Sequence, residues 1–357
     1  MQASVRTSRQ VVPPESIDDG QPNEREHRDG EPVELGDVVD PGAAAYQERE
    51  HDQSDDGGFE EAGGHGAALG RGAAGLLCHA AERGHPSKLP RVTTLGAHSP
   101  KLDSVRDLRT KRGRREQGLF AVEGPTMLAE ALAAGLAPQA VYATDACLES
   151  LADRARFEDV LFRVPERAMA RLSDLESPPG ILAVLPIALA GLEDLLERGR
   201  PVVALAGVAD PGNAGTLLRS AEIFGFAGAI FAADAVEPHN PKVVRASMGA
   251  IFRLEVAVAE PAGLLEVAGR HGYMVIAASR EGEPLPGFRF PARAVIAIGH
   301  ERRGVAAWLP RHDRSVSIPQ SGQGESLNAA IAGSIILYAF SQQVEAQNFD
   351  PQTTENP

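Results

Sequence analysis

The 357-residue sequence has only two cysteines, Cys78 and Cys147, and it has no long apolar run. Two cysteines form no disulfide framework and are typical of a reducing compartment. The first thirty residues hold no apolar signal-peptide core, and the longest apolar segment, near Ile331 to Phe340, is too short and too interrupted to span a bilayer. We therefore expect a cytoplasmic protein without a membrane segment.

Metal-ligand clusters with recognised spacing are also missing. The nearest candidate is Cys78 with His79 and His85, but it offers a single thiol in a segment without periodic apolar residues. We therefore expect no metal site.

The usual phosphate-binding turns are absent in their complete form. The turn in GVADPGNAGTLLRSAEIFGF places Gly207 and Gly212 at P-loop spacing, but Asn213 follows where a P-loop needs lysine. A GxGxxG sequence occurs at Gly70 to Gly75, yet no strand precedes it. The turn instead presents Asn213 and Arg219 beside an apolar helix stripe, which indicates a different chemistry.

The acidic charge is distributed unevenly. The net charge is -14, and residues 1 to about 95 carry roughly two acidic side chains for every basic one. That composition predicts a disordered leader over residues 1–95. Because no methionine lies near the start of the periodic region, residues 1–91 are also hypothesised to be an over-extended gene model with a non-AUG start at Val92.

Apolar runs alternate with helical patterns in two regions, which predicts α/β structure in both. Residues 97–187 indicate a small α/β domain, and residues 201–345 a parallel sheet whose strands are buried on both faces. Residues 188–200 predict a linking helix and residues 346–357 a frayed tail. GVAAWLPRH and SLNAAIAGSIILYAFSQQ predict two further helices. The last helix carries an apolar stripe of Leu327, Ile331, Ile335 and Tyr338.

A basic segment opens the first α/β region. KLDSVRDLRTKRGRREQG has seven Lys or Arg residues against three acids, within an otherwise acidic chain. Such a cluster indicates either a solvated helix face or contact with a phosphate backbone. The candidate RNA-binding residues are Arg109, Lys111, Arg112, Arg114 and Arg115 here, with Lys242 and Arg245 further along the chain.

Three stretches of the second region share a family pattern. DPGNAGTLLRSAEIFGF, AIGHERRGV and SIPQSGQGESLNAAIAG resemble, in order and spacing, the three motifs of the SpoU/TrmH family of RNA ribose 2'-O-methyltransferases, in the SPOUT superfamily. VRDLRTKRGRREQGLFAVEG resembles the family's N-terminal substrate-binding domain. The resemblance covers about Lys101 to Gln343, and it is specific because three separate polar constellations coincide.

The resemblance implies a fold, a cofactor and partners. The fold is α/β: a C-terminal parallel-sheet SPOUT domain with a deep trefoil knot, preceded by a small L30e-like substrate-binding domain. The cofactor is S-adenosylmethionine, bound in the knotted loops. The partners are RNA, with 23S ribosomal RNA favoured, and a second copy of the chain, with the active site near the subunit boundary.

The resemblance also implies the site residues. The catalytic set is Asn213, Arg219, Glu301, Ser326 and Asn328. The cofactor set, which acts largely through backbone groups, is Gly299, Ile318 and Leu327.

Physical chemistry suggests roles for the catalytic set, each with an ordinary structural alternative. Arg219 stays protonated and is suited to gripping a phosphate and stabilising a developing alkoxide; otherwise it pairs with Glu222 on the helix surface. Asn213 orients Arg219 or the ribose, or caps its helix. Glu301 fixes Arg219 or Asn213, or pairs with the neighbouring arginines.

The residues of the third motif also have a functional and a structural interpretation. Ser326 and Asn328 lie where helix-terminal amides suit a cofactor carboxylate or an RNA phosphate, and capping is the alternative.

Other functions compete with this hypothesis. A Rossmann-type methyltransferase needs a glycine-rich turn that is not found intact, and a non-catalytic RNA-binding homologue would not require the complete polar set. Within the family, a tRNA 2'-O-methyltransferase and an antibiotic-resistance rRNA methyltransferase remain alternatives.

Overall fold

The computed structural model describes residues 92–151, 154–233, 235–324 and 326–348. All of them belong to one of the two units into which the chain divides, Gly72–Pro357. Residues 1–91 of the leader predicted over residues 1–95, the hypothesis about its start, and the tail beyond residue 348 lie outside the described residues.

The first part of the described chain forms a mixed sheet with short helices. Its strands are β1 (Thr93–Thr94), β2 (Leu119–Glu123), β3 (Ala140–Ala143), β4 (Leu161–Arg163) and β5 (Ile181–Pro186). Its helices are α1 (Pro100–Asp107), α2 (Lys111–Gln117), α3 (Pro125–Ala133), α4 (Asp145–Ser150) and α5 (Glu166–Leu172), with a 3₁₀ turn at Arg154–Val160. The strand order is β1-β4-β3-β5-β2, and β5 runs antiparallel to both of its neighbours.

The second part forms a six-stranded parallel sheet. Its strands are β6 (Val202–Ala206), β7 (Gly228–Ala232), β8 (Glu255–Ala259), β9 (Met274–Pro284), β10 (Ala294–Gly299) and β11 (Arg314–Ser317), in the order β11-β9-β10-β6-β7-β8. Strands β6, β7 and β10 are buried along their whole length, as their continuous apolar sequences predict.

Helices cover both faces of this second sheet. They are α6 (Leu192–Glu197), α7 (Pro211–Ile223), α8 (Pro241–Ala246), α9 (Pro261–Arg270) and α10 (Ala329–Asn348), with a 3₁₀ turn at Ala250–Phe252. Helix α10 approaches α7 closely because Gly333 has no side chain: a Cβ there would lie 2.4 Å from Leu217 Cδ2. The third motif is thereby packed against the first.

The structure corrects several boundaries. Thr93 and Thr94 pair with β4, so ordered structure begins before residue 97. Only Leu192–Glu197 of the linking segment is helical, and α10 extends to Asn348, beyond the predicted end at 345. GVAAWLPRH forms turns rather than a helix, because its buried Trp308 and Leu309 fold back on Val305 to cover the sheet.

One hydrophobic cluster joins the two sheets. It includes Phe120 and Leu128 from the first part, and Leu205 and Phe231 from the second. A separate cluster lies under α1 and α5, and another under α6 and α9. Within the described residues, no helix combines the length and apolarity needed to cross a membrane.

Candidate active site

The ends of two neighbouring parallel strands bring the first two motifs together. Strands β6 and β10 pair in register up to Ala206 and Gly299, so the loops that follow both strands leave the same edge of the sheet. The β6 loop turns at Gly207, whose φ of 81° is a left-handed conformation that favours glycine, and then enters α7. Asn213 and Glu301 therefore lie beside each other although they are 88 positions apart.

A chain of side-chain hydrogen bonds links all three motifs. The Asn213 amide nitrogen donates to Glu301 Oε1 at 2.6 Å, and the Asn328 amide nitrogen donates to Asn213 Oδ1 at 3.0 Å. Glu301 Oε2 also lies 3.6 Å from His300 Nδ1. The carboxylate thus fixes which end of the Asn213 amide faces it, and Asn213 then orients Asn328.

Capping is divided between residues outside and inside this network. Asp210 caps α7 through its Oδ1, which accepts from the Asn213 backbone N–H at 2.7 Å, so the Asn213 side chain is not the cap. Asn328 both joins the network and caps α10, since its Oδ1 accepts from the N–H groups of Ala330 and Ile331. Ser326 precedes the helix in an exposed position, and Asn328 takes the capping role.

Arg219 lies on α7 outside this network. From Asn213 it is displaced by about 9 Å along the helix axis and roughly 120° around it, as six residues of regular helix require. Its side chain is exposed, and among the described residues it makes no hydrogen bond or ion pair. The structural alternative for Arg219 is not observed, because Glu222 pairs with Arg253. The alternative for Glu301 is not observed either: among the described residues, neither Arg302 nor Arg303 pairs with it.

A cavity of about 1040 Å³ opens beside the network at the carboxyl ends of β9 and β10. Its walls include every residue of the predicted cofactor set, Gly299, Ile318 and Leu327, together with Glu301 and Ser326. Ile298 and Ile336 supply apolar surface, and Gln320 and His300 supply polar groups. The lining therefore combines apolar surface with polar and charged groups, and in a small-molecule site such polar groups orient the ligand.

The cavity wall has two features that suit a nucleoside cofactor. Gly299 lies so close to the loop that follows it that a Cβ would fall 2.3 Å from Gly304 C and Val305 N, which keeps backbone groups at the surface. His312 also lines the cavity, and its Nδ1 is buried without a hydrogen-bond partner among the described residues, while Nε2 contacts Ser315 Oγ at 2.7 Å. Sequence reasoning missed His312, because only the pairing of β11 with β9 brings it here.

Arg114 does not belong to an exposed basic surface, which corrects its assignment as an RNA contact. Its side chain is 2% exposed, pairs with Glu237 through two nitrogens, and donates to the Leu108 carbonyl at 2.7 Å. Beside it, burial lowers the pKa of His239 to about 4, with Glu237 opposing and Arg114 reinforcing the shift. His239 also packs on Phe120, with ring centroids 4.6 Å apart.

The other predicted basic residues remain at the surface or partly exposed. Arg109 pairs with Asp174, and Arg112 with Glu116 one helical turn away. Lys111, Arg115 and Lys242 are exposed and Arg245 is half-buried; among the described residues these four side chains have no ion-pair partner. Within the same part of the chain, no group of three or more His, Cys, Asp or Glu side chains is arranged to hold a metal ion.

Comparison with known families agrees with this geometry. Residues 200–338 match the SpoU rRNA Methylase family, and residues 99–183 match an MRM3-like substrate binding domain. The parallel sheet with its polar network and cavity is thus the catalytic fold of a methyltransferase class. The chain belongs to the SpoU rRNA methylase family.

The match extends over nearly the whole length of individual relatives. An uncharacterized tRNA/rRNA methyltransferase of Synechocystis is 32% identical, over 69% of this chain and 92% of the relative. The Bacillus subtilis 23S rRNA (guanosine(2553)-2'-O)-methyltransferase RlmP is 26% identical, over 68% and 96%. The structure of an AdoMet-bound rRNA methyltransferase from Sinorhizobium meliloti superposes with a TM-score of 0.65, at 25% identity, over 71% of this chain and 98% of that one.

Proposed function

We propose that the protein is a cytoplasmic enzyme that transfers the methyl group of S-adenosylmethionine to a ribose 2'-hydroxyl of structured RNA, with 23S ribosomal RNA as the substrate. The observation that carries the proposal is the Asn213–Glu301–Asn328 network at the mouth of the cavity. The relatives named above, one a 23S rRNA 2'-O-methyltransferase and one bound to AdoMet, support the reaction and the cofactor.

The cavity residues fit the proposed cofactor. Gly299, Ile318 and Leu327 would hold it, Gly299 through backbone groups and Ile318 and Leu327 through apolar contact. When bound, S-adenosylmethionine supplies an electrophilic methyl carbon and leaves as a neutral thioether. The protein therefore has to position the sugar oxygen, exclude competing water and favour loss of a weakly acidic proton.

The polar network performs the positioning. Asn213 and Asn328 are locked by their mutual hydrogen bond and by Glu301, so their remaining donor and acceptor sites point in fixed directions. A preorganised amide costs no reorganisation when the ribose arrives. The network would hold the 2'-hydroxyl oxygen against the methyl carbon, so that the new O–C bond would form as the S–C bond of the cofactor breaks, and the hydroxyl proton would leave to solvent.

Arg219 supplies positive charge to the reaction. Its guanidinium remains protonated, so it acts on the adjacent phosphate and on the developing alkoxide rather than as a base. Its lack of an ion-pair partner among the described residues leaves the charge available for RNA. The exposed side chains of Lys111, Arg115 and Lys242, with Arg245, extend this contact along the phosphate backbone.

A second copy of the chain completes the proposed enzyme. The stripe predicted on the last helix is exposed apolar surface: Leu327, Ile331, Ile335 and Tyr338 are 38–52% exposed. Ile223 of α7, which is 62% exposed, lies one turn after Arg219, and neighbouring Phe224 contacts Tyr338. A partner that covers this surface would also bring its own site next to Arg219.

The trefoil knot implied by the family resemblance is part of the proposal. The loops after β10 and β11 line one cavity, and α10 then packs against α7. That arrangement supports a chain end threaded through the loop that holds the cofactor.

The reaction is tested by transfer of a radiolabelled methyl group to total RNA, followed by nucleoside mass spectrometry. Arg219→Ala should lower incorporation by about 10²–10³-fold, because one electrostatic stabiliser of the transition state is lost. Arg270→Ala, an exposed arginine on α9, is the matched control and should retain activity. A label in tRNA alone, or full activity of Arg219→Ala, would contradict the assignment.

Self-association is tested separately. Ile331→Arg places a charge in the exposed stripe and should give a monomer in light scattering, whereas Leu189→Arg, at an exposed apolar residue outside the stripe, should not. A monomeric wild-type protein would contradict the proposed dimer.

A further inference from the structure

Arg219 has a competing partner on its own helix. Glu222 follows it by three residues, a spacing at which opposite charges on a helix surface attract each other. Both residues lie within α7, about one helical turn apart. Pairing with Glu222 would therefore compete with RNA for the positive charge of Arg219.

The structure shows a different pairing for Glu222. Arg253 Nε donates to Glu222 Oε1 at 2.8 Å, and Arg253 Nη1 donates to Glu130 Oε2 at 2.5 Å. Arg253 thus holds two carboxylates from two helices, α7 and α3. These hydrogen bonds to the carboxylates raise the pKa of Arg253, so it stays charged.

The backbone around Arg253 is fixed by packing. Arg253 directly follows the 3₁₀ turn Ala250–Phe252, and the Phe252 ring lies 6.4 Å from the Phe120 ring of β2. Gly249, with a φ of 89°, leaves room for Glu130, because a Cβ there would lie 2.8–3.0 Å from the Glu130 side chain. The Arg253 backbone is therefore held where its guanidinium reaches both acids.

We propose that Arg253 is a positioning residue for methyl transfer, which keeps Arg219 available to the RNA by holding the Glu222 carboxylate away from it. The inference rests on the proposed function of Arg219. Arg253 does not touch the substrate: it acts through Glu222. When Arg253 is removed, the Glu222 carboxylate is released and pairs with Arg219 across one helical turn.

The test uses four variants of the full chain, assayed for methyl transfer under saturating cofactor. Arg253→Met should lower kcat by about 3- to 30-fold, the range expected when a residue acts through a neighbour. Arg253→Met/Glu222→Gln should recover activity to within about 1.5-fold of wild type, because the competing carboxylate is gone. Glu222→Gln and Glu130→Gln alone should each change kcat by less than about twofold.

The double variant separates positioning from a structural role. If Arg253 only holds α3 and α7 together, Glu222→Gln cannot restore activity, and Glu130→Gln should be as damaging as Arg253→Met. Either result would overturn the inference, as would full activity of Arg253→Met. A crystal structure of Arg253→Met provides a readout independent of activity: it should show Glu222 within 4 Å of Arg219. Absence of activity in the wild type would refute the proposed function instead.

Discussion

At the scale of single residues, one side chain of the candidate active site both caps a helix and takes part in the polar network. Asn328 caps α10 with its oxygen and reaches Asn213 with its nitrogen, so one amide both starts a helix and completes the network. Glu301 sets the orientation of that amide chain from the other end. Under the proposed function, stability and catalysis are coupled at Asn328, and the roles of its nitrogen and its oxygen can be separated experimentally.

Asn328→Asp retains the capping oxygen but loses the donor to Asn213, and it adds a negative charge near Glu301. We expect methyl transfer to fall by about 10²-fold with the free energy of unfolding nearly unchanged. Asn328→Ala should lose comparable activity and also about 1 kcal/mol of stability, because the cap is removed. Thermal denaturation alongside the methyl-transfer assay checks both; equal stability of the two variants would contradict the capping role.

The sequence predicts the members of the site better than their contacts. Asn213, Glu301 and Asn328 were predicted from their motifs, and the structure brings them together. The burial of Arg114 could not be predicted, because its partner Glu237 lies 123 positions away and the surrounding residues look like a solvated basic helix. Similarly, Arg253 carries no local motif, and only the fold shows that it intercepts Glu222.

At the scale of elements, the loops after strands determine the site. The apolar runs predicted the parallel sheet, since a strand buried on both faces has few other possibilities. GVAAWLPRH was predicted as a helix and is not one: burial of Trp308 and Leu309 against the sheet outweighs local helix propensity. The apolar pattern therefore predicts the strands of this sheet more reliably than it predicts this short helix.

Gly299 tests the loop after β10. Gly299→Ala would place a Cβ 2.3 Å from the backbone of Gly304 and Val305, so the loop must move. We expect a loss of about 1–3 kcal/mol in stability and at least a tenfold weaker affinity for S-adenosylmethionine in calorimetric titration.

Gly322→Ala is the control for this prediction. A Cβ at Gly322 meets no atom within 4 Å, so binding and stability should stay close to wild type. Equal cofactor affinities for the Gly299 and Gly322 variants would exclude a role for the close approach at Gly299.

At the scale of the whole molecule, a group of buried contacts, which we call the polar joint, connects the first sheet to the second. The Arg114–Glu237 pair, the stacking of His239 on Phe120 and the shared apolar cluster all lie between the two parts. The exposed basic residues of α2 are therefore held in a constant position relative to the catalytic sheet.

Breaking the ion pair should be costly. Arg114→Met leaves the Glu237 carboxylate, whose side chain is 16% exposed, without its cation, and we expect a loss of about 3 kcal/mol in the free energy of unfolding. Arg112→Met removes a cation from an exposed pair on the same helix and should cost less than about 0.5 kcal/mol. Denaturant titration distinguishes them, and similar values for both would contradict a structural role for Arg114.

The same joint predicts a dependence of stability on pH. The pKa of His239 falls from 6.5 to about 4 on folding, so the unfolded chain binds a proton at a higher pH than the native chain does. The free energy of unfolding should therefore decrease as the pH falls from about 6.5 to 4, by up to about 3 kcal/mol. His239→Phe keeps a ring against Phe120 and should flatten that slope; an unchanged slope would assign the pH dependence to other groups.

The continuous core has a consequence for how this enzyme meets its substrate. Because Phe120, Leu128, Leu205 and Phe231 belong to one apolar cluster, moving the first sheet away from the second would expose apolar surface to water. We therefore expect the two sheets to keep a constant separation rather than to close around the substrate. If RNA contacts the basic residues of α2 as proposed, an RNA that does not already present its target sugar at the matching distance from α2 has to bend, and selection depends on the shape of the nucleic acid.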